Sequence, residues 1–218
     1  MLYDAVIFDL DGTLLDSLED IAVAANNVLT EMGKPTYPIE EYRYLVGDGV
    51  GMLFQRALPE CEENPSLKAE CMNRFEHAYS QQWNNRSKPY AGIVEMLDAL
   101  MARSMSISVL SNKPERFTKE CVAHFFGGIP FAHVLGHSER FPRKPDPSSA
   151  RWLAEQLGIA NDRIAYVGDT NTDMKTAVGA SFCAIGVTWG FRPESELVAF
   201  GAQHICHTVQ QLADHLLS

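Results

Sequence analysis

The chain has 218 residues, enough for one core domain carrying an insertion and too few for two full domains. Hydrophobic residues make up 46% and charged residues 21%, a balance that points to a folded globule and excludes disorder. Acidic residues outnumber basic ones 28 to 18, and the formal charge of −10 repels nucleic acid and anionic lipid, so neither is expected as a partner.

No apolar run approaches the roughly 20 residues that span a bilayer, and Leu2–Leu10 is already interrupted by Asp4 and Asp9. The cysteines, Cys61, Cys71, Cys121, Cys183 and Cys206, are odd in number, form no CxxC pair and have no signal peptide before them. They read as reduced thiols, and the protein as cytoplasmic.

In chain order, the first predicted strand is Ala5–Phe8. Residues 16–85 then show no strand signal but several helical ones, including Leu18–Met32 and Ser66–Trp83, broken at "GKPTYP" and "VGDGVG". That interval is too long for a simple crossover, so it reads as a helical insertion, a cap, and "NNRSKPYAG" returns the chain to the core. Asp16 and Asp20 are expected to begin the first cap helix, where acids favour the dipole.

Strands Ser106–Leu110, His133–Leu135, Arg163–Val167 and Phe182–Ile185 then alternate with helices Glu115–Phe126, Ser148–Leu157 and Asp173–Val178. Pro114 suits a first helical turn and Gly158 a helix C-cap. Strand and helix in alternation predict an α/β fold: a Rossmann-like parallel sheet with helices on both faces and an inserted α-helical cap. The expected domains are 1–15 with 86–218 for the core, and 16–85 for the cap.

Ligands of such sheets sit beyond the carboxyl ends of the strands, so the residues that follow the apolar runs carry the function. "AVIFD" ends in Asp9, "ISVLS" in Ser111 and "IAYVGD" in Asp169, while "RFPRKPDP" places Lys144 ahead of a helix. Two buried carboxylates at one edge need a cation. Oxygen ligands without a His/Cys cluster suit magnesium, which leaves positions open for phosphate oxygens. Ser111 can donate to phosphate, Lys144 can offset its charge, and amides around Leu10–Thr13 can turn inward because Gly12 permits a tight turn. Asp9 can then attack phosphorus, and Asp11 can protonate the leaving alkoxide and afterwards activate water.

The motifs "DLDGT" (Asp9–Thr13), "LSNK" (Leu110–Lys113), "RKPDP" (Arg143–Pro147) and "GDTNTD" (Gly168–Asp173) resemble, in order, the four motifs of the haloacid dehalogenase superfamily. The resemblance implies magnesium held by Asp9, the backbone carbonyl of Asp11 and Asp169, with Asp173 supporting the metal or Lys144. It also implies that Gly12, Thr13, Ser111, Asn112, Lys113 and Lys144 surround the phosphate. The insertion between the first and second motifs resembles the subgroup with a helical cap. Within it, "YLVGDGVGMLFQRAL" and "SNKP" look most like phosphoglycolate phosphatases, which implies 2-phosphoglycolate as the small phosphorylated substrate. Sugar-phosphate phosphatases, a pyrophosphatase and a phosphoglucomutase share the architecture. The intact Asp9/Asp11 pair sets the chain apart from dehalogenases and phosphonatases.

In the cap, Gly47 lies in "GDGVG", a substrate loop or a plain turn; no GK[ST] follows it. Arg56 and Arg43 are the nearest cap cations that can meet a substrate carboxylate, against a surface role for each. "HICH", His204–His207, lacks the second ligand pair of a zinc site and reads as strand end and surface. A phosphorylated receiver module or a silent binding protein would share the strand-end chemistry, but neither needs the cap together with Asp11. Monomer and dimer both remain open.

Overall fold

The computed structural model describes residues 2–218; residue 1, the start of the expected core segment, lies outside them. Strands β1 (Ala5–Phe8), β4 (Ser106–Pro114), β5 (His133–His137), β6 (Ile164–Gly168), β7 (Cys183–Val187) and β8 (His204–Cys206) form a parallel sheet ordered β5-β4-β1-β6-β7-β8. Two-residue strands β2 (Leu15–Asp16) and β3 (Lys88–Pro89) pair separately. From β1 the chain winds outward through β4 to β5, then returns across β1 to β6. The winding therefore reverses between β1 and β6, the place where doubly wound sheets bind ligands.

The central position of β1 explains its composition. All four of its residues are buried, since it pairs with β4 (Ala5 opposite Ser106) and with β6 (Ala5 opposite Ile164) and is covered on both faces. On one side, Ile7 and Tyr166 pack with Leu153 and Ala154 of helix Ser148–Leu157 and with Met174 and Ala177 of helix Asn171–Ala180.

Several boundaries move for identifiable reasons. Strand β4 runs past Leu110 to Pro114 because, after a register shift between Leu110 and Pro114, it pairs again with β5 at His137. Pro114 accordingly caps helix Glu115–Phe125 from outside its first turn. Helix Asn171–Ala180 begins before Asp173 because Thr170 and Asp173 form a capping box. Phe182 is buried but precedes β7, and β8, carved from "HICH", is the last strand of the sheet.

The described residues fold into two compact units, 2–15 with 89–218, and 16–88. The second unit is built on helices Leu18–Glu31 and Pro65–Ser80, with shorter helices Tyr42–Leu45, Val50–Ala57 and Glu60–Glu63 between them. Its core contains Phe54, Phe75 and Tyr79, with Phe54 edge-on to Phe75 and Phe75 stacked on Tyr79. The expectation that Asp16 opens the first helix is corrected: Asp16 lies in β2 and the helix starts at Leu18. Asp20, in the first turn, does more than complement a dipole. It is buried and accepts from the Arg86 amide (3.0 Å), the Ser87 amide (2.8 Å) and the Ser87 hydroxyl (2.7 Å), which ties the two ends of the unit together.

All five cysteines are free thiols. Among the described residues, no helix is long and apolar enough to cross a membrane.

Candidate active site

The residue after β1 is Asp9 and the residue after β6 is Asp169, so the pairing of these strands sets both carboxylates on one edge. The Asp9 amide donates to the Val167 carbonyl at 2.9 Å, continuing the ladder by one step. Asp173 joins them from the first turn of helix Asn171–Ala180. Its capping box holds it there: Oδ2 accepts from the Thr170 amide at 3.0 Å and the Thr170 hydroxyl at 2.6 Å. Asp9, Asp169 and Asp173 each present a carboxylate oxygen within 4.8 Å of the others, all three are buried, and no His or Cys joins them.

Lys144 enters from the loop after β5. Its side chain is only 2% exposed, and its three ammonium protons are taken by Asp173 Oδ1 (2.7 Å), Asp9 Oδ1 (2.9 Å) and the Leu110 carbonyl (2.9 Å). The loop is braced by Asn112, whose amide group donates to the Lys144 carbonyl (3.1 Å) and accepts from the Lys144 amide (2.9 Å).

Asp169 is fixed from the opposite side. Oδ1 accepts from the Thr13 hydroxyl at 2.9 Å and Oδ2 from the Phe191 amide at 2.8 Å. Gly12, at φ +87°, and Gly190 are obligatory here. A Cβ on Gly12 would stand 2.3 Å from Asp169 Oδ2, and one on Gly190 would stand 2.3 Å from Asp169 Cβ.

The charges do not balance. Three carboxylates and one ammonium leave two negative charges in a buried cluster. Burial pushes Asp9 up to about 7 against the pull of Lys144, with the charges of Asp173 and Asp11 adding to the rise. Burial, then the charges of Asp173 and Asp9, hold Asp169 well above the usual carboxylate range. Burial alone would lower Lys144, but Asp173 and Asp9 outweigh it and hold the ammonium well above its ordinary value. A hard divalent cation fits this donor set in charge and in ligand type.

The remaining candidates sit in distinct places. Asp11 contributes no carboxylate to the trio; Lys113 Nζ donates to its Oδ1 at 3.0 Å and Oδ2 at 3.1 Å. Ser111 is buried within β4, just past Leu110 where the register with β5 shifts, and its hydroxyl accepts from the Lys113 amide at 3.3 Å. Gly47 and Arg56 belong to the unit of residues 16–88. Arg56 donates to the Leu45 carbonyl at 3.1 Å, at the end of helix Tyr42–Leu45, and forms an ion pair with Asp48. Gly47 is in the left-handed region, φ +115°. Arg43 pairs with Glu40 on the surface. Neither histidine of "HICH" enters a ligand trio among the described residues.

Sequence reasoning places the loop after β7 near the site edge but assigns no role to Trp189. The loop braces the site: Trp189 Nε1 donates to the Thr13 carbonyl at 3.0 Å, Gly190 lets the backbone pass against Asp169, and Phe191 supplies the amide to Asp169. The signal that could have found it is a glycine between two large aromatics a few residues after a predicted strand. The capping box was also legible, as T-x-x-D in "TNTD".

The model of haloacid dehalogenase-like hydrolases matches residues 6–187. A phosphoglycolate phosphatase of Vibrio vulnificus (strain YJ016) is 31% identical over 218 residues, covering 97% of this chain and 95% of its own. Among solved structures, a protein provisionally named a phosphoglycolate phosphatase, from Lactobacillus delbrueckii subsp. bulgaricus, gives a TM-score of 0.86 at 28% identity over 99% of each chain. A predicted phosphatase from Clostridium acetobutylicum gives 0.89 at 26% identity, over 100% of this chain and 99% of that one. The chain belongs to the haloacid dehalogenase-like hydrolase family, as a phosphatase of the phosphoglycolate phosphatase-like kind.

Proposed function

We propose that the protein is a magnesium-dependent phosphatase of small phosphomonoesters, with 2-phosphoglycolate as its substrate and the cytoplasm as its site of action. The observation that carries this reading is the buried trio Asp9, Asp169 and Asp173, two charges short of neutrality, with Asp11 two residues beyond Asp9. The substrate is supported by the cap-loop stretch Tyr44–Leu58 and by relatives that bear that activity in their names.

Asp9, Asp169 and the backbone carbonyl of Asp11 would hold the magnesium ion, with Asp173 supporting Lys144 and the metal carboxylates. A bound divalent ion would neutralise charge between carboxylate and phosphate oxygens and polarise the phosphoryl group. Asp9 attacks phosphorus, forming an aspartyl-phosphate, as the bond to the alkoxide breaks and Asp11 protonates that oxygen. Asp11 then takes a proton from the water that attacks the same phosphorus, which frees Asp9 and releases inorganic phosphate. Lys144 offsets the growing charge on the phosphoryl oxygens, and Ser111 donates to one of them. Dividing the reaction matters because phosphomonoester hydrolysis is among the slowest uncatalysed reactions known. The unit of residues 16–88 acts as a cap that excludes water and supplies substrate contacts, for which Gly47 and Arg56 are the candidates.

The test is hydrolysis of p-nitrophenyl phosphate with and without magnesium, in the wild type and in Asp9→Asn. Magnesium-dependent turnover that vanishes in the variant is expected; metal-independent turnover, or full activity in Asp9→Asn, overturns the chemistry. A panel of phosphoglycolate, hexose phosphates and pyrophosphate tests the substrate. Preference for a hexose phosphate would replace the named substrate and leave the chemistry standing.

A further inference from the structure

Two buried lysines stand at the carboxyl edge of the sheet, and they are committed to different acids. Lys144 joins Asp9 and Asp173. Lys113 makes a two-point contact with Asp11, 3.0 and 3.1 Å to its two oxygens, and its side chain is only 5% exposed. Asp11 is the more exposed partner at 16%, and it sits in the turn between β1 and β2.

The lysine itself is held firmly. Its amide donates to the Ser111 hydroxyl (3.3 Å) and its carbonyl accepts from the Thr118 hydroxyl (3.1 Å). It lies in the irregular stretch of β4, between Leu110 and Pro114, where the register with β5 shifts. Such irregularities re-aim side chains next to active sites. Asn112, the neighbour on the other face of the strand, turns to the Lys144 loop instead.

We infer that Lys113 is a positioning residue for Asp11: it fixes the carboxylate of the proton-transfer group from both oxygens and acts on the reaction through that group rather than by holding phosphate. The inference rests on the reading of Asp11 as acid and base given above. It departs from the expectation, carried by the family resemblance, that Lys113 is a phosphate ligand.

The experiment is single-turnover release of the alcohol from p-nitrophenyl phosphate and from 2-phosphoglycolate, in magnesium, for Lys113→Met, Asp11→Asn and the double variant. Nitrophenolate leaves with little protonation and an alkoxide does not. Lys113→Met should therefore slow the alkyl ester by roughly 10- to 100-fold, part of what a general acid contributes, slow the aryl ester less, and leave KM and inhibition by inorganic phosphate near wild type. The decisive result is the cycle: with Asp11→Asn already in place, Lys113→Met should add no further loss. Lys113→Arg, which keeps a charged two-point donor, should recover most of the rate. Should the methionine variant not fold, Lys113→Gln serves in the same cycle.

A raised KM, weaker phosphate inhibition, or full additivity with Asp11→Asn would overturn the inference and return Lys113 to the phosphate. Wild-type alcohol release in Asp11→Asn would instead bring down the acid/base reading itself.

Discussion

Both units carry surface ion pairs, but the unit with the sheet also buries a cluster of charges at one edge. In the unit of residues 16–88 charged residues pair at the surface: Lys34 with Glu60, Arg74 with Glu31 and Glu70, Arg86 with Glu19, all with substantially exposed side chains. In the unit carrying the sheet, Asp9, Asp169, Asp173 and Lys144 are buried together at the strand ends. Water screens the first set and makes each pair nearly dispensable. The second set is held away from water by its own members and by fixed groups such as the Thr13 and Thr170 hydroxyls, the Phe191 amide and the Leu110 carbonyl, so removing one leaves the charge of the others uncompensated. Asp20 is the exception that marks the rule, a buried carboxylate in the helical unit satisfied by three donors rather than by a cation.

The sharpest break would come from Lys144→Met. It leaves three buried carboxylates facing one another and should cost about 3–5 kcal/mol of stability, measured by urea unfolding in EDTA; added magnesium should restore part of the loss. A smaller loss than that of a surface variant would mean the cluster is not the buried charge site described.

Magnesium itself should act with a defined pH dependence. Asp9 rises from about 3.8 to about 7 on burial, so the native state binds more protons than the unfolded one between those values. The Asp9 contribution to the stability of the metal-free protein then falls as pH rises through that window and levels off above it, and Asp169, raised in the same direction, adds a loss of the same sign. A cation reverses the loss only where the carboxylates are ionised. The melting temperature should therefore rise more with magnesium at pH 8 than at pH 5, by scanning calorimetry; an equal or opposite response would break the link between burial and metal.

Asp20→Ala leaves two amides and a hydroxyl without their acceptor and should cost about 2–4 kcal/mol, with the sheet-bearing unit's site residues unaltered. The smallest effect belongs to Lys34→Ala, whose thermal midpoint should match the wild type within scatter. A clear loss there would erase the contrast between the two regions.

The acids and the lysine of the site were readable one by one because each directly follows an apolar run or sits in a motif: Asp9 after Ala5–Phe8, Asp169 after Ile164–Gly168, Lys144 ahead of Ser148. The helical insertion showed itself as a long interval without alternating apolar residues. Asn112, Thr13 and Lys113 stood in the motifs, but their partners did not: Asn112 braces the Lys144 backbone, Thr13 holds Asp169, and Lys113 holds Asp11. Asp16 was misplaced because an acid just before a helical pattern looks the same whether it starts the helix or ends a short strand.

Local sequence thus determined the element types, the parallel order of strand and helix, and which residues could carry charge to the strand ends. These depend on apolar periodicity and on residue type, both local properties. Tertiary structure alone decided who meets whom. The bonds of Lys113 with Asp11, of Trp189 with Thr13 and of Phe191 with Asp169 join residues more than a hundred positions apart in two cases, and the ends of different strands in all three. Such pairings follow from the order in which the strands lie in the sheet and from the register shift in β4, and neither is written in any short stretch of chain.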